Sequence, residues 1–188
     1  MLDARGDARG LRARSVTVGY GKDAPILEDL SLDVLEGQLT VIVGPNACGK
    51  STLLRSLARV LGVRSGVVEL DGRALTTMNQ KELARRLGLL AQSSTAPADI
   101  LVEDLVARGR YPHQSLLRQW SAEDDEAVAW AMRQAGVEAL ARRRVGELSG
   151  GQRQRVWIAM VLAQSTDIVL LDEPTTYLDL NHQLEVLR

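Results

Sequence analysis

The first chemical signal is the string Gly44-Pro45-Asn46-Ala47-Cys48-Gly49-Lys50-Ser51-Thr52, which fits the pattern G-x-x-x-x-G-K-[ST]. Glycines in such a loop let backbone N–H groups turn inward around phosphate oxygens. A helix starting near Lys50 adds the positive end of its dipole. Lys50 offers a mobile cation to the β- and γ-phosphates, and Ser51 offers a hydroxyl to Mg2+. Cys48 reads as a small filler side chain within the loop. A second string, Ile168-Val169-Leu170-Leu171-Asp172-Glu173, is an apolar run ending in two carboxylates. Asp172 is placed to hold Mg2+ directly or through water, and Glu173 to polarise an attacking water as general base. A third string, Leu148-Ser149-Gly150-Gly151-Gln152, leads into a helical pattern. A serine and two glycines at a helix start form a second anion site from a hydroxyl, N–H groups and the dipole, or else a plain helix cap.

The elements that must position these strings are legible around them. Val16-Thr17-Val18 and Leu30-Ser31-Leu32-Asp33-Val34 alternate as strands, and the β-branched run Leu39–Val43 predicts a strand entering the glycine loop. Leu53, Leu54, Leu57, Ala58 and Leu61 recur at helical spacing. Val67 to Leu70 predicts a strand closed by an Asp71-Gly72 turn, Lys81 to Arg86 a helix, and Leu87 to Ala91 a strand. From about Asp99 to Arg144 alanine, charge and helix formers dominate, with an apolar helix face at Ala127, Val128, Trp130, Ala131 and Ala135. A helix to about Gln164 and the strand Ile168–Leu171 follow. This order predicts an α/β core with an inserted helical subdomain. Residues 1–14 read as a solvated, disordered tail, and residues 15–188 as one domain. Its core comprises residues 15–95 and 145–188, and its helical subdomain about 96–144.

Composition narrows the class. The chain has 188 residues, 45% hydrophobic and 25% charged, which suits a folded domain and excludes long disorder, collagen and a disulfide scaffold. Lys+Arg of 23 against Asp+Glu of 24 argues against a dedicated nucleic-acid binder. The longest apolar run is Val156–Ala163, far below the roughly 20 residues of a membrane span. One cysteine, Cys48, excludes an intrachain disulfide. Two histidines and one cysteine make no protein metal-site constellation, and His113 and His182 read as surface residues.

In combination these strings resemble the nucleotide-binding subunit of ATP-binding cassette (ABC) transporters. Gly44 to Thr52 is similar to the family's Walker A motif, Leu148 to Gln152 matches its signature motif letter for letter, and Ile168 to Glu173 resembles Walker B with the catalytic glutamate. Gln92 sits where the family has its Q-loop glutamine. Tyr177-Leu178-Asp179 resembles the D-loop, with Asp179 the matching acid. Tyr20, before a glycine and ahead of Walker A, resembles the aromatic that stacks on adenine. The resemblance covers nearly everything from Ser15 onward. It implies a P-loop NTPase (ABC ATPase) fold: an α/β core, an antiparallel β portion near the N-terminus and an inserted helical subdomain. A finer resemblance, carried by Ala107-Arg108-Gly109-Arg110-Tyr111-Pro112-His113 and Glu173–Asp179, is to the iron–siderophore and vitamin B12 importer branch, of ferric enterobactin, ferrichrome or ferric citrate type.

The resemblance implies two ATP molecules sandwiched between two subunits packed head to tail. Lys50, Ser51 and the loop amides would hold phosphates, and Ser149 and Gly151 of the partner would close the other side. Gln92 and Asp172 would attend Mg2+, and Glu173 would activate water. The implied partners are permease subunits of an importer, contacted through the region around Gln92 to Pro112, and indirectly a substrate-binding protein. The implied place is the cytoplasmic face of a bacterial membrane, without nucleic acid. Family members continue beyond the position of Arg188, through a strand lying between the Walker A and Walker B strands and a histidine, the H-switch. The expectation is therefore a C-terminally truncated core that folds poorly alone and hydrolyses ATP slowly or not at all. Alternatives are an ATPase of the same class importing cobalamin, haem or a metal ion, a non-transport ABC protein of DNA repair or translation, and an inert nucleotide-binding product.

Overall fold

The computed structural model describes residues 9–92, 94–115 and 120–174. The chain divides into two compact units, Met1–Leu83 and Ala84–Arg188. No helix among the described residues is long and apolar enough to cross a membrane.

The first unit is built on a four-stranded antiparallel sheet of order β2-β1-β3-β4. Its strands are β1 (Gly10–Val18), β2 (Leu27–Leu35), β3 (Ser65–Leu70) and β4 (Arg73–Ala74). Leu11, Ala13, Val16 and Val18 of β1 are buried, as are Val68 and Leu70 of β3. Helix α1 (Lys50–Leu57) packs on β1 through a face that includes Leu53 and Leu57. Burying a leucine side chain in this way contributes about 1.5–3 kcal/mol. Past the helix, Arg59 turns back and donates to the carbonyls of Leu75 and Met78 at 2.5 and 2.6 Å. These bonds tie the helix exit to the turn after β4.

Helix α2 (Gln80–Arg86) spans the boundary between the units. The second unit contains a parallel pair, β5 (Leu87–Leu90) and β6 (Ile168–Leu171), in register from Leu87 opposite Ile168 to Leu90 opposite Leu171. Its helices are α3 (Val102–Ala107), α4 (Ala122–Gln134) and α5 (Gly150–Ala163). Short 3-10 segments at Arg108–His113, Glu138–Leu140 and Val145–Glu147 join them. Helix α5 packs against α3, α4 and β5. The apolar core here gathers Val102, Leu105 and Val106 of α3, Ala131 and Met132 of α4, and Val156, Trp157, Ala159 and Val161 of α5.

Two expectations change. The tail of residues 1–14 is too long, because β1 begins at Gly10 and residues 10–13 pair with β2. Arginines concealed the strand: Leu11 and Ala13 alternate with Arg12 and Arg14, whose head groups lie beside Asp33 and Glu69. The run Leu39–Val43 forms no strand among the described residues. Leu39, Val41 and Val43 are 77%, 67% and 85% exposed. The run carries apolar side chains on both faces, the composition of a strand inside a covered parallel sheet. A strand forms only where a neighbour takes its backbone N–H and C=O groups, and this run has no such pairing among the described residues.

Candidate functional site

In the first unit the glycine loop projects between the exposed run Leu39–Val43 and α1. Gly44 to Cys48 are exposed, and the backbone turns through left-handed conformations at Ala47 (φ 62°) and Gly49 (φ 99°). Gly49 is the N-cap of α1. A Cβ there would lie 2.9 Å from side-chain carbons of both Ile26 and Leu27, so only glycine fits both the conformation and the space. Lys50 opens the helix, and its Nζ donates to the carbonyls of Gly44 and Pro45 at 2.9 and 2.8 Å, with Cys48 Sγ at 4.0 Å. Ser51 lies in the first helical turn, and Thr52 is buried behind it. Asn46 and Ala47 form the outer turn of the loop. An oxyanion entering this loop meets a helix N-terminus and an ammonium, the chemistry of a phosphate cradle.

Tyr20 lies in the same unit, two residues beyond β1, with 43% of its surface exposed. Arg55 Nη1 of α1 donates to its hydroxyl at 3.2 Å. The hydrogen bond with Thr52 and then that with Arg55 hold the phenol below its ordinary titration range. The aromatic ring is thereby tethered to the helix that begins with Lys50. Sequence reading found Tyr20 and Thr52 but missed Arg55. The only sequence signal for Arg55 is its place in the turn after Ser51.

The second unit holds the carboxylates. Because β5 and β6 run parallel and in register, the residues two positions beyond their ends emerge side by side. Those residues are Gln92 and Glu173, and Gln92 Nε2 donates to Glu173 Oε2 at 2.9 Å. Glu173 itself has φ 51°, a left-handed conformation that turns the chain sharply after the strand. Asp172 is buried, and its N–H donates to Leu90 O at 2.9 Å, continuing the ladder past the strand ends. Gln154 of α5 donates to Pro174 O at 3.1 Å, which holds the exit of the acidic turn. Sequence reading did not single out Gln154. Carboxylate, amide and hydroxyl oxygens are the donors a hard dication accepts, so Asp172, Gln92 and Ser51 fit Mg2+ by type. No group of three or more His, Cys, Asp or Glu residues that could hold a metal ion occurs among the described residues.

Ser149 is the N-cap of α5, and its Oγ accepts from Gln152 N at 3.2 Å. Gln152 Oε1 in return accepts from Ser149 N at 3.1 Å, a reciprocal capping box. Gly150 and Gly151 occupy the first turn without side chains in front of the N–H groups. The hydroxyl of Ser149 retains its own proton for an incoming oxygen. Both readings of this string, helix cap and anion site, are thus compatible in one geometry. His113 is half-buried, with Nε2 donating to Gln164 O at 2.8 Å, so it is a structural contact and not a loose surface residue. Asp179, with Tyr177, Leu178 and His182, lies outside the described residues.

Comparison with known proteins places this geometry in a lineage. The family model described as ABC transporter matches residues 27–176. The chain is 55% identical over 177 residues to the ferric enterobactin transport ATP-binding protein FepC of Escherichia coli, covering 94% of this chain and 65% of that one. It is 53% identical over 177 residues to the probable siderophore transport system ATP-binding protein YusV of Bacillus subtilis, covering 94% and 64%. The chain thus spans about two-thirds of the length of these relatives. A bacterial ABC transporter cassette solved as a dimer superimposes with a TM-score of 0.82 at 25% identity, covering 94% of this chain and 79% of that one. With the matched region running through both the glycine loop and the paired Gln92 and Glu173, the chain belongs to the ABC transporter family.

Proposed function

We propose that this chain is the ATP-binding and ATP-hydrolysing subunit of a bacterial ABC importer for iron–siderophore complexes. The contact between the Gln92 amide and the Glu173 carboxylate, at the ends of two in-register parallel strands, carries the catalytic part of this reading. Gly44 to Thr52 bind the phosphates, with the Lys50 ammonium exchanging loop carbonyls for phosphate oxygens. Tyr20 stacks on adenine. Glu173 accepts a proton from the attacking water, and Gln92 orients both. Ser51, Gln92 and Asp172 are the proposed donors to Mg2+, which when bound offsets negative charge on the phosphate oxygens. A second subunit, packed head to tail, contributes Ser149, Gly150, Gly151 and Gln152, and Asp179 is a further proposed nucleotide-binding residue. Permease subunits receive the motion at the cytoplasmic face of the membrane. The names of the relatives at 55% and 53% identity support siderophore import over other cargoes.

The experiment is Glu173→Gln, assayed for ATP binding, turnover and uptake together. The expected outcome is retained ATP affinity, turnover reduced at least about 100-fold as for a lost general base, and no uptake of labelled ferric siderophore. Unchanged turnover removes Glu173 from the role of base. Wild-type uptake of haem or cobalamin in place of ferric siderophore moves the cargo while leaving the ATPase reading intact. A second reading, nucleotide binding without turnover, is favoured by the run Leu39–Val43 that leads into the loop, which is exposed and forms no strand among the described residues. ATP binding by the wild-type chain without phosphate release would select it.

A further inference from the structure

We propose that Arg64 is a positioning residue for nucleotide recognition, holding the backbone turn that presents Tyr20. The inference rests on the reading of Gly44–Thr52 and Tyr20 as a nucleotide site. The turn that carries Tyr20 has little regular structure of its own. Between Val18, the last residue of β1, and Leu27, the first of β2, the chain passes through Gly19 to Ile26. One ladder bond closes this loop at its base, from Ile26 N to Val18 O at 2.8 Å. Segments of this kind sit at the low end of local stability unless something external ties them down.

Arg64 is that tie. It immediately precedes β3, and its backbone N–H donates to Thr17 O at 2.8 Å, which fixes its Cα beside the end of β1. From there the guanidinium reaches into the loop and donates to three main-chain carbonyls. Nη1 reaches Asp23 O at 2.7 Å, while Nη2 reaches both Tyr20 O and Gly21 O at 3.1 Å. A planar fork can serve three carbonyls on one turn, whereas a lysine ammonium is a compact point charge without that shape. The approach needs space at Gly19, where a Cβ would lie 2.7 Å from Arg64 Nη2 and 3.1 Å from Pro25 Cα. Two arginines therefore divide the task. Arg64 holds the main chain of Tyr20, and Arg55 holds its hydroxyl. Neither is part of the glycine loop, so losing Arg64 should affect the base-binding end of the nucleotide and spare the phosphate end.

The test compares ATP with inorganic tripolyphosphate, which offers the phosphates without the base. Binding of each is measured by titration calorimetry for the wild-type chain, Arg64→Ala, Arg64→Lys, Gly19→Ala, Tyr20→Ala and the Arg64→Ala/Tyr20→Ala double variant. Expected is ATP affinity about three- to tenfold weaker in Arg64→Ala, the scale of lost charge-assisted hydrogen bonds, with tripolyphosphate affinity unchanged. Arg64→Lys should recover little of the loss. Gly19→Ala, which displaces the guanidinium without deleting it, should reproduce it. Adding Arg64→Ala to Tyr20→Ala should weaken ATP no further, because a residue acting through Tyr20 has nothing left to position. Equal losses for ATP and tripolyphosphate, unaltered ATP affinity in Arg64→Ala and Gly19→Ala, or fully additive effects with Tyr20→Ala would overturn the proposal. A wild-type chain that binds tripolyphosphate and ATP equally well would refute a base-recognising role for Tyr20 and for Arg64 together. One that binds neither refutes the underlying nucleotide reading.

Discussion

For the glycine loop to take up phosphate, Lys50 must exchange two neutral acceptors for a charged one. Its Nζ donates to Gly44 O and Pro45 O, so the ammonium also braces its own loop. Pairing the ammonium with an anionic phosphate oxygen adds a charge–charge attraction that a neutral carbonyl does not offer, which favours the exchange. Lys50→Ala should therefore weaken ATP binding at least about tenfold, or roughly 1.4 kcal/mol. The same change should leave Tm within about 2 °C, because the loop bonds it removes are exposed. Calorimetric titration and a thermal melt of the same preparation check both halves. A large Tm loss with unaltered ATP affinity would make Lys50 a structural brace only. The residues around the site divide by how far their signal extends along the chain. Lys50, Ser51, Asp172 and Glu173 belong to contiguous strings and were readable. Arg55, Arg64 and Gln154 act through contacts 35, 44 and 20 residues away in sequence, and no spacing rule announces them.

At the scale of elements, the helical segment is pinned by one buried ion pair. Arg110 Nε meets Asp124 Oδ1 at 2.7 Å, with the two side chains 6% and 1% exposed. Arg110 Nη1 also donates to Ala163 O at 2.9 Å and Ser165 Oγ at 3.1 Å, linking the segment after α3 to the end of α5. The other oxygen of Asp124 accepts from the N–H and the hydroxyl of Ser121 at the start of α4, both at 3.0 Å. Burial pushes the Asp124 carboxyl up, but the bonds from Arg110 and Ser121 outweigh it and hold the group below the usual carboxylate range. Asp124 thus remains ionised to lower pH in the folded chain than in the unfolded one. Its contribution is complete above about pH 5, where an unfolded aspartate is almost fully ionised, and is lost as pH falls further, through the depressed native value. Asp124→Asn should cost about 3 kcal/mol at pH 7, because Arg110 is left buried without its counter-charge. The difference from wild type should shrink towards pH 3. Urea unfolding at both pH values decides it, and an equal gap at pH 7 and pH 3 would show that the charge of Asp124 is not what matters. The helices, β3, β5 and β6 were legible because each contains its own periodicity. The first half of β1 was not, because Arg12 and Arg14 interrupt the apolar pattern while sitting beside Asp33 and Glu69. Nor was the fate of Leu39–Val43, since periodicity reports which residues could form a strand and says nothing of whether a partner is present to pair with it.

At the scale of the molecule, each unit has an apolar core of its own. The first buries Leu11, Val16, Val18, Leu53, Leu57, Leu70 and Leu75, and the second buries the cluster from Leu90 to Ala163. Two cores joined through the short helix α2 give no reason for all-or-none unfolding, the behaviour of a single core. The tryptophans make this observable. All three, Trp120, Trp130 and Trp157, belong to the second unit, so indole fluorescence follows that unit and far-UV circular dichroism follows both. The proposed phosphate loop and Tyr20 belong to the first unit, so ligand taken up there stabilises the half that fluorescence does not see. Urea unfolding should give one fluorescence transition and two in circular dichroism. Tripolyphosphate at 100 times its Kd should move the transition lacking a fluorescence counterpart by about 2.7 kcal/mol, the linkage expected of a ligand that binds only the folded unit. The fluorescence transition should stay where it is. If the two signals coincide and shift together with tripolyphosphate, the units unfold as one body. Ligand energy taken up at the loop would then reach the second unit, and the two cores could not be treated as independent.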